Sequence, residues 1–419
     1  MTSKDVVIIG GGAAGLTAAI SAARSGSAVA VLEHMDRVGK KILSTGNGKC
    51  NLSNELQGGQ NYRGPDPDFV CPVLDAFDLK KTLAFFRSIG ILTISKNGYL
   101  YPRTEQASSV LDALRYECER QGAELKTSCH LLEIKALYPG FFISYEEEGK
   151  KKELRTGSLL IATGGLSAAK TGSDGSIDPF LMKLGHSMTE RVPALCALKC
   201  KGNFWGQIGG IRTDAEIRLF SEGKELACEK GNLQLTGYGI SGIPVFQLSR
   251  WAAYEVKKGH RVMAEIDFLP DLESRPLQRY LQHRARATEG EELVRTFEGL
   301  LPKKLLPLMM KKSGLEMKRK GKELSEKEIR NFLLSAKAFQ VEIEGPVSFE
   351  QSQVTAGGIS GAEVNPFSLE SRILEGLFFA GELLDVDGRC GGYNLQWAWS
   401  SGYIAGKHAS EYGKGICLE

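Results

Sequence analysis

The first residues whose types and spacing indicate chemistry are a run of glycines near the N-terminus, followed by one acidic residue. Gly10, Gly12 and Gly15 fit the pattern G-x-G-x-x-G, and Glu33 stands eighteen residues after the last of them. In this pattern the glycines permit a tight turn, close approach of a pyrophosphate, and close packing of a helix on a strand. The acid accepts hydrogen bonds from a ribose diol and repels a 2′-phosphate. The sequence therefore predicts a dinucleotide site that favours NAD or FAD over NADP.

The elements that would position these residues follow the order strand, turn, helix, strand. Residues 6–9 are a short β-branched run, which is typical of a buried parallel strand. Residues 16–24 are rich in helix formers, and residues 28–32 predict a second strand that ends beside the acid. The start of the helix would present free N–H groups and partial positive charge to phosphates. A purely structural glycine-rich turn is the alternative for this run.

Two further apolar segments end in small residues, as strands do where they open onto a ligand. Residues 158–162 lead into Thr163 and two glycines, and residues 377–380 lead into Gly381 and Glu382. If these segments share a sheet with the first strand, an extended cofactor would touch all three strand ends, which suits FAD better than NAD. The sequence contains no second unit of strand, glycine pattern, helix and acid. It therefore predicts no dedicated nicotinamide domain.

The segment LSTGNGKCNLSN, residues 43–54, combines two glycines, three asparagines, one lysine and a single thiol. This segment has two possible interpretations: a surface linker, or a loop that is shaped around a ligand. Gly46 and Gly48 would let backbone N–H groups reach a cofactor, and Lys49 would offset negative charge. Cys50 has no second cysteine close in sequence, which disfavours a redox dithiol. We expect its thiol to pack against neighbours rather than to act as a nucleophile.

Residues 381–406 combine an acidic, glycine-rich turn with a helix that is rich in small residues. Asp385 and Asp387 lie in the turn and would accept hydrogen bonds from ribityl hydroxyls. The helix would begin at Tyr393 and direct its N-terminus at the N1–O2 edge of a flavin, which favours an anionic reduced flavin. An ordinary C-terminal helix with a glycine-rich cap is the alternative.

Composition indicates the broad class of the protein. The chain has 419 residues, of which 42% are hydrophobic and 25% charged, with a net charge of +3; these values favour a folded chain of two or three domains. Nine cysteines without repeated spacing predict reduced thiols in the cytoplasm rather than a disulfide framework. No metal site is expected, because Cys196 and Cys200 have no second ligand pair. No apolar run reaches the ~20 residues that would span a membrane.

Five motifs together resemble a known family: GGGAAG, LSTGNGKCN, ATGG, VTAGGI and GELLDVDGRCGGYNLQWAWSSGYIAG. In this order they are similar to the bacterial flavoprotein family that includes aminoacetone oxidase and the bile-acid 3-dehydro-Δ4,6-reductase. The resemblance implies an α/β fold with a Rossmann-like, glutathione-reductase-like FAD-binding domain, interrupted by a β-rich insert that carries a small helical subdomain. The implied boundaries are 1–190 and 347–419 for the FAD-binding domain, 191–270 and 335–346 for the β-rich substrate domain, and 271–334 for the helical insert subdomain.

The resemblance also implies one tightly held FAD and a set of residues that contact it. These residues come from the glycine-rich turn, the loop at residues 43–54, the three strand ends and the start of the last helix. They are Gly10, Gly12, Ala13, Ala14, Gly15, Glu33, Lys41, Thr45, Gly46, Asn47, Gly48, Lys49, Cys50, Asn51, Ala162, Thr163, Gly164, Gly381, Glu382, Asp387, Gly392, Tyr393, Asn394, Leu395 and Gln396.

One segment departs from the family pattern. Many members carry a histidine-containing THxGxSGP segment, whereas residues 236–244 of this chain read TGYGISGIP. Gly237 replaces the histidine, and Ile243 stands where the proline would follow. If this segment faces the substrate, the activity of any one member does not transfer to this chain. No catalytic residue is assigned from the sequence.

The sequence thus predicts an FAD-dependent oxidoreductase that acts on a small organic substrate by hydride transfer through flavin N5. Two reactions stay open: NAD(P)H-driven reduction of a conjugated C=C bond, as in a steroid or bile-acid enone, and O2-linked oxidation of an amine. NADH or NADPH would act as a transient electron donor. No membrane partner is expected, and the oligomeric state stays open.

Two alternatives to this function remain. The lysines and arginines at residues 303–322 suggest a flavoprotein that modifies tRNA, although a solvated helix face explains them as well, so nucleic acid is not the expected partner. A non-enzymatic flavin redox sensor is the other alternative.

Overall fold

A computed structural model describes residues 2–64, 66–288, 290–320 and 324–416 of the chain. The chain divides into two compact units, Met1–Val192 with Phe349–Glu419, and Pro193–Ser348. The first unit is therefore assembled from two segments of the chain that are distant in sequence. The boundaries implied by the family resemblance, including a separate helical subdomain at 271–334, stay a prediction.

The α-helices alternate with strands in the first unit and cluster in the second half of the other unit. In chain order they are α1 (Ala13–Arg24), α2 (Lys40–Ser44), α3 (Pro67–Ala76), α4 (Leu79–Ser88), α5 (Ala107–Arg120), α6 (Asp178–Lys183), α7 (Trp205–Ile208), α8 (Ile243–Lys257), α9 (Ser274–Ala287), α10 (Leu293–Phe297), α11 (Leu306–Lys312), α12 (Glu326–Lys337) and α13 (Tyr393–Lys414).

The strands form a mixed sheet and small ribbons in the first unit and a closed barrel in the second. In chain order they are β1 (Thr2–Ile9), β2 (Val29–Leu32), β3 (Ser53–Asn54), β4 (Tyr62–Arg63), β5 (Thr93–Lys96), β6 (Tyr99–Pro102), β7 (Glu124–Lys126), β8 (Cys129–Ala136), β9 (Phe141–Glu147), β10 (Lys150–Ile161), β11 (Val192–Ala194), β12 (Leu198–Cys200), β13 (Arg212–Ser221), β14 (Lys224–Thr236), β15 (Gly239–Ser241), β16 (Val262–Asp267), β17 (Phe339–Pro346), β18 (Val354–Ala356), β19 (Leu377–Phe379) and β20 (Asp387–Gly388).

The main sheet of the first unit has the order β7-β2-β1-β10-β9-β8, with β19 also paired to β10. Strands β7, β2, β1, β10 and β19 run parallel, whereas β9 pairs antiparallel with β10 and β8 pairs antiparallel with β9. Ile9 pairs with Ile161, which in turn pairs with Phe379, so three strands end in one row. The three predicted strand ends therefore belong to one sheet, and a ligand crevice is expected at this edge.

Helix α13 packs along α1, and glycines make this close approach possible. A Cβ atom at Gly402 would lie 2.4 Å from the carbonyl oxygen of Ala14, and one at Gly406 would lie 2.3 Å from that of Ala18. No side chain fits at either position, so the two helix backbones touch directly. The contact holds the start of each helix at the same edge of the sheet.

The second unit is a closed barrel with the strand order β12-β15-β14-β13-β16-β17. Helix α8 packs against β14 and β17, and the core continues from barrel residues such as Ile217 into helical residues such as Met309, Met310 and Phe332. Helix α12 begins with the capping box that the sequence predicts, because Ser325 and Glu328 exchange hydrogen bonds. The predicted α/β fold class, with a Rossmann-like domain and a β-rich, helix-bearing insert, is confirmed.

Candidate functional site

A cavity of ≈390 Å³ lies at the sheet edge where β1, β10 and β19 end. This volume is within the range of small-molecule and cofactor sites. The cavity is lined by segments that are far apart in sequence. Of the predicted cofactor-binding residues, those that line it are Gly10, Gly12, Ala13, Ala14, Glu33, Lys41, Thr45, Ala162, Thr163, Gly164, Gly381, Glu382, Asn394 and Leu395.

The glycine-rich turn between β1 and α1 forms one wall of the cavity. Gly10 has a φ of +100°, and a Cβ atom there would lie 2.6 Å from the carbonyl oxygen of Ala162. At Gly15 a Cβ atom would lie 1.9 Å from the carbonyl oxygen of Gly10. By contrast, a Cβ atom at Gly12 would meet no atom within 4 Å, because this residue faces the open cavity. The turn thus presents bare backbone and the N-terminus of α1 to the cavity, as binding of a pyrophosphate requires.

Glu33 follows β2 and lies at the cavity with only 7% of its surface exposed. Its Oε2 atom accepts a hydrogen bond from the Gly11 N–H at 2.8 Å, and Oε1 accepts one from the Met35 N–H at 2.8 Å. The carboxylate therefore fixes the glycine-rich turn relative to the end of β2. Its remaining lone pairs and its charge are suited to a ribose diol and unsuited to a 2′-phosphate.

His34 extends this acidic site toward a second carboxylate. Its Nδ1 atom lies 3.2 Å from Oε1 of Glu33, and its Nε2 atom lies 3.6 Å from Oδ2 of Asp174. The hydrogen bond to Glu33 raises the pKa of His34, against an opposing effect of burial. The imidazole therefore gains positive charge beside Glu33 as the pH falls. The sequence alone did not indicate the contact with Asp174, which is 140 residues further along the chain.

An ion pair stands across the cavity from this acidic site. The Lys41 Nζ atom donates to Oε2 of Glu382 at 2.7 Å, and both side chains are largely buried. The other carboxylate oxygen, Oε1, accepts from the N–H of Thr355 at 2.8 Å. Glu382 thus ties helix α2 to the end of β18 and holds the Lys41 ammonium at the cavity wall.

The hydroxyl of Thr163 lacks a hydrogen-bond partner in the described part of the chain, and a bound ligand would supply one. Its Oγ1 atom is buried and has no hydrogen-bond partner among the described residues, although Thr163 lines the cavity. A buried polar group without a partner costs free energy, about 1–3 kcal/mol. The cavity wall presents the hydroxyl of Thr163, the N-terminus of α1, the ammonium group of Lys41 and the carboxylate of Glu33. A dinucleotide, which has polar groups along its length, fits this set of groups. The described residues therefore fit FAD, with room in the open space beside Gly12.

The loop at residues 43–54 touches the cavity at one point only, since Thr45 lines it and Gly46, Asn47, Gly48, Lys49, Cys50 and Asn51 do not. Gly46 and Asn47 both have a φ of +55°, so the backbone is left-handed there. Asn47 and the two glycines are exposed. The prediction that this loop binds the cofactor beyond Thr45 stays a prediction.

Cys50 is fully buried behind this loop, with 0% exposure. Burial raises the pKa of its thiol to about 12, so the thiol is neutral at physiological pH. Its backbone N–H donates to the carbonyl oxygen of Thr45 at 3.1 Å. These properties fit the expected packing role and do not fit a nucleophile.

Helix α13 presents one side of its first turns to the cavity, through Asn394, Leu395 and Ala398. Gln396 lies on another side and is buried, and its amide is engaged by Ser53, Thr82 and Ser400 at 2.7–2.9 Å. The predicted contacts that do not line the cavity in this part of the molecule are Asp387, Gly392, Tyr393 and Gln396, and Gly15 joins them at the other wall. Direct contact of these five residues with a cofactor stays a prediction.

A buried histidine network in the first unit escaped the sequence analysis. His186 Nδ1 lies 2.9 Å from Oε2 of Glu363, and His186 Nε2 lies 2.9 Å from Oγ of Ser371. The Ser371 oxygen also accepts hydrogen bonds from the backbone N–H groups of Ile373 and Leu374. The network thus stabilises the turn at residues 371–374, and none of its members lines the cavity. No local motif links residues so far apart in sequence.

Among residues 2–64, 66–288, 290–320 and 324–416, no group of three or more His, Cys, Asp or Glu side chains is placed to hold a metal ion. Within the same residues, no helix has the length and apolar character to cross a membrane.

Comparison with known proteins places the site in context. Residues 4–408 match the family model described as "HI0933-like protein Rossmann domain". The chain is 42% identical to a 3-dehydro-bile acid delta(4,6)-reductase of Clostridium scindens, over 96% of this chain and 98% of the relative. It is 28% identical to a ribosomal RNA dihydrouridine synthase of Haemophilus influenzae, over 96% and 97% of the two chains.

A solved structure shares the fold at low sequence identity. The 3-ketosteroid delta1-dehydrogenase of Sterolibacterium denitrificans, in complex with 1,4-androstadiene-3,17-dione, aligns with a TM-score of 0.55 and 12% identity. The alignment covers 98% of this chain and 100% of that one. The family match spans both units and includes every residue that lines the cavity. On this evidence the chain belongs to the HI0933-like Rossmann family, as its motifs predict.

Proposed function

We propose that this protein reduces a conjugated C=C bond of a small organic substrate, such as a steroid or bile-acid enone, with NADH or NADPH as electron donor. One observation carries the proposal. A cavity fitted to a flavin dinucleotide occurs in a chain that is 42% identical, over nearly its whole length, to a reductase of a dehydro-bile acid. At the level of enzyme class, the chain is an FAD-dependent oxidoreductase.

The glycine-rich turn and its neighbours would hold the cofactor. The N-terminus of α1 would bind the pyrophosphate through backbone N–H groups, and Glu33 would accept hydrogen bonds from the adenosine ribose. Thr163 would donate its buried hydroxyl, which lacks a partner among the described residues. When bound, FAD supplies hydride acceptance and donation at N5.

Two charged groups of the first unit would orient the remainder of the cofactor. Lys41, held by Glu382, places a positive charge on the cavity wall, where it favours an anionic ligand group. The N-terminus of α13 adds partial positive charge at Asn394 and Leu395. Together with the N-terminus of α1, these groups favour negative charge on the parts of a ligand that lie next to them, whereas Glu33 and Asp174 make another part of the wall acidic.

The proposal is tested by anaerobic half-reactions of the purified, FAD-loaded protein. We expect NADH or NADPH to bleach the flavin, and a bile-acid dienone to restore its colour much faster than O2 does. Bleaching by an amine followed by fast reoxidation by O2 would instead establish the oxidase reaction and overturn the proposal. A protein that releases no flavin on denaturation would contradict the cofactor itself.

A matched pair of variants ties the result to the cavity. Thr163→Val removes only the orphan hydroxyl, and we expect it to weaken FAD binding by about tenfold, the effect of one lost hydrogen bond. Thr213→Val makes the same change on β13 in the other unit, and FAD binding should be unchanged. The readout is the quenching of flavin fluorescence on titration of the apoprotein.

RNA modification is a second candidate, and a groove in the second unit favours it. Lys304, Lys311 and Lys318 line this groove, and Lys312 Nζ lies 5.3 Å from the centre of the Phe204 ring. Ammonium groups beside a partly exposed aromatic side chain suit single-stranded RNA. The 28% identical relative named for dihydrouridine synthesis in ribosomal RNA aligns over 96% of this chain and 97% of its own length. Lys322 of the predicted basic stretch lies outside the described residues.

The groove also contains Glu316, and Arg319 pairs with Glu328, so part of the positive charge is compensated. The two functions separate in a binding assay on ribosomal RNA and tRNA fragments at increasing salt. RNA modification requires binding whose affinity falls steeply with salt and is reduced in Lys304→Glu and Lys311→Glu. Absence of binding at low salt would exclude this candidate.

A further inference from the structure

A second cleft opens in the first unit, at the far end of α1 and the middle of α13. It has a volume of ≈530 Å³ and shares no lining residue with the first cavity. From Ala13 to Arg24, helix α1 advances by about 16 Å, at ~1.5 Å per residue. Helix α13 likewise runs from Leu395 at the first cavity to Lys407 at the second. The second cleft is therefore a separate site.

The floor of the cleft is aromatic. The ring of Phe77 stacks on that of Tyr403, with centroids 4.2 Å apart and planes 21° from parallel. Phe85 packs edge-on against both rings. Phe77 and Phe85 are themselves buried, at 3% and 4% exposure, whereas Tyr403 is half-buried and Phe367 stands at the rim with 69% of its surface exposed. Tyr403 and Phe367 are therefore the rings that a flat apolar ligand can reach.

The rim of the cleft is cationic. Arg24, Lys81, Lys407 and His408 line it, and no Asp or Glu lines it in the described part of the chain. Arg24 is held in place by Glu117 and lies over the Phe85 ring, 5.5 Å from its centre. Lys407 is more available, since its side chain is 55% exposed and lies 3.8 Å from Glu411, a carboxylate that is closer to His408, at 3.0 Å. Lys81 donates one hydrogen bond to the carbonyl oxygen of Ala76 and keeps further N–H donors.

We propose that this cleft binds a flat-ringed organic anion, with the ring against Tyr403 and Phe367 and the carboxylate or sulfonate toward Lys81 and Lys407. Charge complementarity carries the choice of ligand: an apolar floor alone would accept any hydrophobic compound, whereas the ammonium groups of Lys81 and Lys407 at the rim favour those with a negative charge. The site does not depend on the proposed function, because it lies apart from the cofactor cavity.

The test uses the FAD-loaded protein, so that the first cavity is filled, and anilinonaphthalene sulfonate as a fluorescent aromatic anion. We expect saturable binding of one probe molecule per chain. Phe367→Ala should weaken binding about tenfold through lost apolar contact. Lys407→Glu should weaken it about fivefold and reduce its dependence on salt.

Two controls distinguish binding at this site from nonspecific binding of the probe. Lys183→Glu makes the same charge change at an exposed position of α6 outside the cleft and should leave probe binding unchanged. The uncharged analogue phenylnaphthylamine should bind the unmodified protein more weakly than the sulfonate does. Its affinity for Lys407→Glu should equal its affinity for the unmodified protein. Flavin absorbance and melting temperature report whether the variants are folded.

Equal affinities of the sulfonate and its uncharged analogue would overturn the proposal, as would displacement of the probe by added FAD. Binding that is unaffected by Phe367→Ala and Lys407→Glu in folded protein would also overturn it.

Discussion

Two glycine-rich segments of the first unit lie near the same cavity, and they use glycine for different physical reasons. In the turn after β1, Gly10 and Gly15 are needed because neighbouring backbone fills the space of a side chain. In the loop after α2, a Cβ atom at Gly48 would meet only the Leu43 carbonyl oxygen, at 3.9 Å, but the φ of Gly48 is +82°. Gly15 is constrained by packing and Gly48 by its dihedral angles, whereas Gly10 and Gly46 are constrained by both. Glycine content alone does not distinguish the two.

Gly15→Ala should have the largest effect, because it places a methyl group 1.9 Å from the Gly10 carbonyl oxygen. The turn cannot yield without separating α1 from β1 and β10. We expect loss of bound flavin and destabilisation of about 3 kcal/mol or more. Flavin content after purification and urea unfolding measure the two effects. Retention of flavin at normal stability would show that packing does not constrain this turn.

Glu33→Gln comes next, since the amide can accept from only one of the two N–H groups that the carboxylate serves. The other N–H group then faces an amide NH2. We expect a loss of about 1–3 kcal/mol in stability and weaker FAD binding. Titration of the apoprotein with FAD measures the affinity. Glu124→Gln, at an exposed residue of β7, is the control and should change neither quantity beyond a few tenths.

Gly48→Ala tests the second segment and should have a smaller effect. There is space for the methyl group, so the cost is that of holding an L-residue in the left-handed region, about 1–2 kcal/mol. Thermal unfolding reports this cost, and we expect the flavin content to stay normal. Loss of flavin in a stable Gly48→Ala protein would mean that this loop contacts the cofactor more closely than Thr45 alone accounts for.

Cys50→Ala should have the smallest effect, a loss of about 1 kcal/mol or less with normal turnover. The folded-state pKa of about 12 exceeds the ordinary value of 9.0, so the thiol's contribution to stability is complete below pH 9 and falls as the pH rises toward 12. The difference in unfolding free energy between wild type and variant should therefore shrink above pH 9. Alkylation of Cys50 in the native protein at neutral pH would contradict its burial.

The parts of the site that the sequence predicts are those in which backbone chemistry dictates residue type. Gly10, Gly15 and Glu33 are recognisable because one strand–turn–helix–strand unit contains them all. Side-chain orientation on α13 is harder, since residues 394, 395 and 398 face one side at 3.6 residues per turn while Gln396 points elsewhere. A motif is a run of consecutive residues, and it does not show which of them face the cavity once the helix has formed.

Long-range assembly accounts for what the sequence could not predict. Phe180 and Gln353 line the cavity, yet they belong to segments without any local signal. Alternating residues in the second unit predict strands, but closure of the barrel depends on β12 pairing with β17, near the opposite end of that unit. The fold class follows from local patterns, whereas the cavity walls follow from contacts made only in the folded chain.

The packing of α13 on α1 has a consequence for how the protein is made. The glycine-rich turn leaves the ribosome early, but its supporting helix and the wall at residues 381–398 are among the last to be synthesised. While the barrel is being translated, the nucleotide-binding fold is incomplete because α13 has not yet been made. The apolar surface of α1 that α13 covers is then exposed. We therefore expect the cofactor to bind only after the last helix has been synthesised, and chains truncated before residue 393 to contain no flavin.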